Sequence, residues 1–107
     1  MAQWRGWYEQ NGQRHDMVVG KFKVKESKIS GQGEDPNGKF EFIGFYHPDN
    51  TCKFIKQYHG MHELRYEGKR NYHEISGKWI LTSFGQEDEF FLKKTYSDGK
   101  KDDSDSE

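Results

Sequence analysis

Only one of the 107 residues is a cysteine, Cys52. No disulfide can form within the chain, and a reducing compartment, the cytoplasm, is the expected location. Proline occurs only at Pro36 and Pro48, each inside a stretch of turn formers, GEDPNG and HPDN. No apolar run is long enough to span a bilayer and none at the N-terminus reads as a signal segment, so no membrane partner is expected. No window holds an apolar stripe of period 3.6, and glycines interrupt every candidate helix. An excess of one charge is missing too: the net charge is −1. A nearly neutral chain gives no electrostatic footprint for nucleic acid, and no nucleic-acid partner is expected.

What is present is aromatic. Hydrophobic residues make up 31% and charged residues 33%, a balance that alone would suggest disorder. Eight Phe, six Tyr and three Trp oppose that reading, because each ring buries a large area and few are needed for a small core. The length fits one domain. Residues 1–96 hold 15 of the 17 Lys and Arg and 13 of the 18 Asp and Glu, and form the expected β-domain. Residues 97–107, SDGKKDDSDSE, have no apolar side chain and read as a disordered acidic tail.

Alternation of period two recurs along the chain, the signature of half-buried strands. Tyr72–Leu81 sets His73, Ile75, Gly77, Trp79 and Leu81 on one face. Met17–Lys25 sets Val18, Phe22 and Val24 together, with Gly20 among them, and turns Lys21, Lys23 and Lys25 outward. Ile29, Gly31 and Gly33 share a face, as do Phe40, Phe42, Gly44 and Tyr46. Cys52, Phe54, Lys56 and Tyr58 form another set, then His62, Leu64, Tyr66 and Gly68, then Phe90 and Leu92. Asn11-Gly12 signals a tight hairpin. About eight strands with short turns predict an antiparallel meander, and an open sheet of that size would expose two edges. The expected fold is all-β: a single small antiparallel up-and-down barrel of about eight strands. Glycines on the inward faces agree, since a small barrel cannot take a large side chain at every inward position.

At Arg5–Gly12, RGWYEQNG, and at Lys78–Ser83, KWILTS, the chain resembles the avidin family of eight-stranded calycin barrels. The family's matching motifs read approximately GTWYNQLG and QWLLTS. The resemblance implies the barrel fold and a pocket wall at Trp79. The position matching the family's ureido-binding asparagine is Glu9, a carboxylate that accepts hydrogen bonds but donates none, so biotin binding does not follow. Tyr66-Glu67-Gly68 also resembles the YxG grammar of MORN repeats, without a fixed period.

Chemistry-bearing residues are sparse. His59-x-x-His62 has metal-like spacing, but a zinc site usually needs three or four ligands, so His47 or His73 would have to join; a polar turn is the plainer reading, and no metal or other cofactor is expected. Cys52 has no base signalled beside it and reads as a small buried hydrophobe. Glu34-Asp35 and Glu87-Asp88-Glu89 lie in turns without an EF-hand pattern and read as solvated loops. Lys21, Lys23, Lys25 and Lys28 form a basic ridge; with exposed aromatics such as Phe45 it could contact nucleic acid, or the acidic tail could fold back onto it, but solubility and edge protection are the plainer reading. Lys56 sits on an otherwise apolar face, where an unpaired lysine is costly. It marks the barrel mouth or an inner polar site, paired for instance with Glu9, or else a bulge turns it outward.

No catalytic arrangement appears, and the chain is expected to be a non-enzymatic binding or interaction module. A protein partner would meet its outer surface through Ile43, Phe45, Ile55 and Ile80. Alternatively, if the interior is open, a small apolar ligand would be lined by Trp7, Glu9, Lys56, Tyr58, Tyr66 and Trp79.

Overall fold

A computed structural model describes residues 2–61 and 63–96. The expected tail and His62 lie outside the described residues. Each alternating segment is a strand: β1 (Ala2–Gln10), β2 (Gln13–Val19), β3 (Lys23–Lys25), β4 (Lys28–Asp35), β5 (Gly38–Tyr46), β6 (Thr51–Tyr58), β7 (Glu63–Asn71), β8 (Glu74–Leu81) and β9 (Gln86–Tyr96). A single 3-10 turn, Thr82–Phe84, joins β8 to β9. Strands consecutive in the chain pair antiparallel, except β2 with β3. Strand β9 returns to β1 over seven residue pairs, from Ala2–Tyr96 to Tyr8–Phe90. Strand β2 meets β4 at Val18–Glu34 and Val19–Gly33. These two seams close an eight-stranded up-and-down barrel, with β3 as an extra strand along β4.

The extra strand comes from a bulge. Strand β4 pairs with β2 at Gly33–Val19 and with β3 at Ser30–Lys23. Between those pairs β4 spends residues 31 and 32, whereas the other side spends residues 20, 21 and 22. One extra residue on one side is the geometry of a β-bulge, and it reverses the facing of everything beyond it. Met17 and Val19 therefore point inward before the bulge, and Phe22 and Val24 after it. Strict alternation across Met17–Lys25 placed Val18 inward with Phe22 and Val24; Val18 instead lies on the other face from the buried Met17 and Val19. The strand expected at Tyr72–Leu81 also starts later, because Tyr72, at φ 58°, and His73 form the turn.

The interior is filled by rings. Phe42 packs on Phe54 at 4.9 Å between centroids, Phe54 on Tyr66 at 5.4 Å and Tyr66 on Phe90 at 4.5 Å. Trp4 and Phe22, 4.6 Å apart, extend this stack toward one end of the barrel. Inward glycines make room for the rings in the neighbouring strand: Gly31 lies opposite Phe42, Gly44 opposite Phe54 and Gly77 opposite Phe90. Of these three glycines, Gly77 has the closest approach. A Cβ there would run into the carbonyl oxygen of Glu67 and the Cα of Gly68, which are backbone and cannot swing aside.

Candidate functional site

Two regions combine the residues singled out above, one at the barrel mouth and one on the outer wall. The mouth is built where β1, β6 and β8 end and β4 turns into β5. Asp35 closes β4 opposite Gly38, leaving Pro36-Asn37 as a two-residue loop. The Asn37 amide donates to Asp35 Oδ1 at 2.8 Å, which fixes the loop as an Asx turn. The Asn37 side-chain amide donates to the Tyr8 hydroxyl at 3.2 Å and draws the loop over the barrel end.

Lys56 points inward. Its ammonium and the carboxylate of Asp35 meet at 2.5 Å, and both side chains are 0% exposed. The Tyr58 hydroxyl donates to the same carboxylate oxygen. Around the Lys56 Nζ stand the rings of Phe40 at 4.3 Å, Tyr8 at 4.4 Å, Tyr58 at 5.0 Å and Tyr66 at 5.7 Å. The Met17 sulfur lies 3.7 Å away. A lysine buried this deeply is tolerable only with an opposite charge and electron-rich faces about it. Burial pushes its amine down to about 8, against the pull of Asp35 in the other direction. Burial, then the hydrogen bond to Asp35, raises the Tyr58 hydroxyl well above its ordinary range. Burial also raises Tyr66 and Tyr8, so all three phenols stay protonated near neutrality.

Beside this cluster lies a cavity of about 40 Å³, partly open to solvent and lined by Tyr8, Asn37, Lys56, Tyr58, Tyr66 and Trp79 among others. That is space for one or a few waters. The Trp79 indole is fixed by donating to the Glu9 carbonyl oxygen at 2.7 Å.

Four of the six expected lining residues, Lys56, Tyr58, Tyr66 and Trp79, therefore meet at the mouth. Trp7 does not: it stacks on Phe91 at 5.8 Å on the outer face, beneath the Arg14 guanidinium at 3.8 Å. The inward residues of β1 are Trp4 and Tyr8, both buried. Glu9 also turns its side chain outward, to Arg14 at 3.1 Å, and contributes only its carbonyl. The partner of Lys56 is thus Asp35, which was expected in a solvated loop and is instead buried.

On the outer wall the strand register brings the expected contact residues together. Ile43 pairs with Ile55, Ile55 with Arg65, and Arg65 with Ile80, one row across β5–β8. Phe45 stands one outward position along from Ile43, opposite Lys53. Ile43 is 61% and Phe45 57% exposed, large values for residues of this kind. A groove of about 280 Å³ runs between them, bordered by Lys53, Ile55, Arg65 and Glu67. Arg65 and Glu67 are joined at 2.7 Å.

The remaining candidates stand apart. Cys52 is buried at the opposite end, its thiol directed at the Asn50 carbonyl and pushed up by burial to about 11, which makes it a poor nucleophile. His59 is exposed near Glu41 at 4.0 Å. Among the described residues no group of three or more His, Cys, Asp or Glu is arranged to hold a metal ion. Lys21, Lys23, Lys25 and Lys28 are exposed on or beside β3. No family model, curated protein or solved structure matches this chain.

Proposed function

We propose that the barrel is a non-enzymatic interaction module that binds a protein partner on the outer face of β5–β8. One observation supports this most directly: Ile43 and Phe45 remain exposed beside Ile55 and Ile80 on a wall that also carries Lys53, Arg65, Glu67 and Lys78. Leaving two such side chains in water forfeits apolar burial that a partner would restore. The groove is apolar along its floor and bordered by Lys53, Arg65 and Glu67. It suits a segment that inserts two or three apolar side chains and answers the rim with charges of its own. Strands of a closed barrel hold such a face rigid, which lowers the ordering cost of binding.

The alternative, a small apolar ligand inside the barrel, has less support. The interior rings leave about 40 Å³ at the mouth, whereas ligand pockets typically span roughly 300–1,000 Å³.

The test is a comparison of wild type with the double variant Ile43→Glu/Phe45→Glu. Proteins retained by the wild-type barrel from a native extract are purified, and their binding to both forms is measured by calorimetry. The reading expects a partner whose binding the variant weakens by at least about 2 kcal/mol, as for central anchor residues, while the thermal midpoint of the barrel is unchanged. Partners that all bind both forms equally would overturn it.

A further inference from the structure

The mouth cluster is more than a satisfied ion pair, because a space opens beside the amine and a proton-transfer group stands on the same carboxylate. We propose that Lys56 is a covalent capture site for a one- or two-carbon aldehyde, which it binds as an imine in the cavity walled by Tyr8, Tyr58, Tyr66 and Trp79.

The parts are those that Schiff-base chemistry requires. An amine must lose its proton to attack a carbonyl, and burial among apolar groups is how proteins make a lysine do so near neutrality. Lys56 is surrounded by the rings of Phe40, Tyr8, Tyr58 and Tyr66, and its amine sits at about 8 rather than in the usual lysine range. Asp35, 2.5 Å from the Nζ, is placed to take the proton. The freed lone pair adds to the carbonyl carbon, and a proton moves from nitrogen to the former carbonyl oxygen to give the carbinolamine. Asp35 then returns its proton to that hydroxyl, through the Tyr58 phenol bonded to the same carboxylate oxygen. The C–O bond breaks, water leaves, and the nitrogen pair forms the C=N bond. In sum, ammonium and aldehyde become iminium and water. The site holds one positive charge before and after, and the iminium keeps the ion pair with Asp35.

That charge balance selects the ligand class. Carbon dioxide would convert the amine into a carbamate, an anion pressed against the Asp35 carboxylate in a buried site, which is unfavourable. An external ammonium is excluded for another reason: the aromatic faces that would receive it already surround Lys56. Size sets the chain length. A cavity of about 40 Å³ admits a group or two of water size, not a ring or a long chain.

The full chain is treated with acetaldehyde and sodium cyanoborohydride, and the ethylated lysines are located by peptide mass mapping. At pH 7.5 Lys56, whose amine burial holds at about 8, is expected to react at least about tenfold faster than the exposed Lys53 and Lys78. Its rate should level off just above pH 8. Tyr58→Phe, which keeps the ring and removes the proton relay, should slow Lys56 about tenfold and leave Lys53 and Lys78 unchanged. Lys56 left unmodified in the folded protein, or modified no faster than Lys53 and Lys78, would overturn the proposal. An unchanged rate at Lys56 in the folded Tyr58 variant would overturn the role given to Tyr58.

Discussion

At the scale of single residues, the direction of each side chain decides its energetic weight. Gly77, Lys78 and Trp79 are adjacent in β8 and make three different cases. Trp79 is 4% exposed and bonded through its indole, so Trp79→Ala empties a large volume and breaks that bond, at roughly 3–5 kcal/mol. Gly77→Val drives a branched side chain against the backbone of Glu67 and Gly68 and reaches the top of the overpacking range, roughly 3 kcal/mol. Lys78 reaches outward to Glu87 at 3.1 Å with both side chains exposed, and Lys78→Ala should change stability by less than about 0.5 kcal/mol. Denaturant melts of the three variants check the order, and a Lys78 variant worse than the other two would mean that the strand faces are inverted. Much of this was legible in the sequence, since the inward sets from Phe40 to Leu92 follow from alternation. Asp35 and Tyr8 of the mouth site were less legible. Asp35 sits in GEDPNG, which reads as a turn, yet it continues the inward series Ile29, Gly31, Gly33 by one step and so offered Lys56 its partner. In β1 aromatics stand on both faces, so alternation alone does not choose Tyr8 over Trp7 as the inward residue. The signal was Trp4-x-Gly6-x-Tyr8, the same spacing as Ile75-x-Gly77-x-Trp79 in β8.

At the scale of elements, turns account for what period-two reasoning could not supply. Asn11 and Gly12 both adopt positive φ, 53° and 78°, the mirror-image turn that their sequence announces. The β3–β4 hairpin makes a turn of the same kind with Glu26 and Ser27, at φ 53° and 69°, residues that tolerate that region poorly. Replacing them by the favoured pair, Glu26→Asn with Ser27→Gly, should raise stability by roughly 1 kcal/mol. The gain would appear as a higher denaturant midpoint with unchanged slope. A double variant no more stable than wild type would show that the native contacts of Glu26 and Ser27 outweigh their backbone strain. The bulge at residues 20–22 was the other hidden feature. Nothing in GKF distinguishes an extra residue from one more step of a strand, and the inversion of Val18 followed. A bulge is a relation between two strands, and it becomes visible only when the partner, β4, is in place.

At the scale of the whole molecule, the barrel is closed unevenly. Strand β1 meets β9 over seven pairs, and the ladders β5–β6, β6–β7 and β7–β8 have seven each. Strand β2 meets β4 over only two, and past the bulge β3 adds three more. The Gly20 amide, donating to the Gln32 carbonyl at 2.9 Å, is the link between those two short stretches. The apolar face of β5–β8 stands away from this seam on the continuous ladders, which keeps its side chains in fixed register. If the barrel opens locally, it should open between β2–β3 and β4, where fewest ladder bonds must break. Native-state hydrogen exchange reads this directly. The Gly20 amide is expected to exchange at least about tenfold faster than the hydrogen-bonded amides of the β1–β9 ladder, through an opening that exposes less surface than global unfolding. A Gly20 amide that exchanges only with global unfolding, with the same denaturant dependence as the amides of β1 and β9, would instead mean that the barrel closes and opens as one unit and that the short seam is no weaker than the long one.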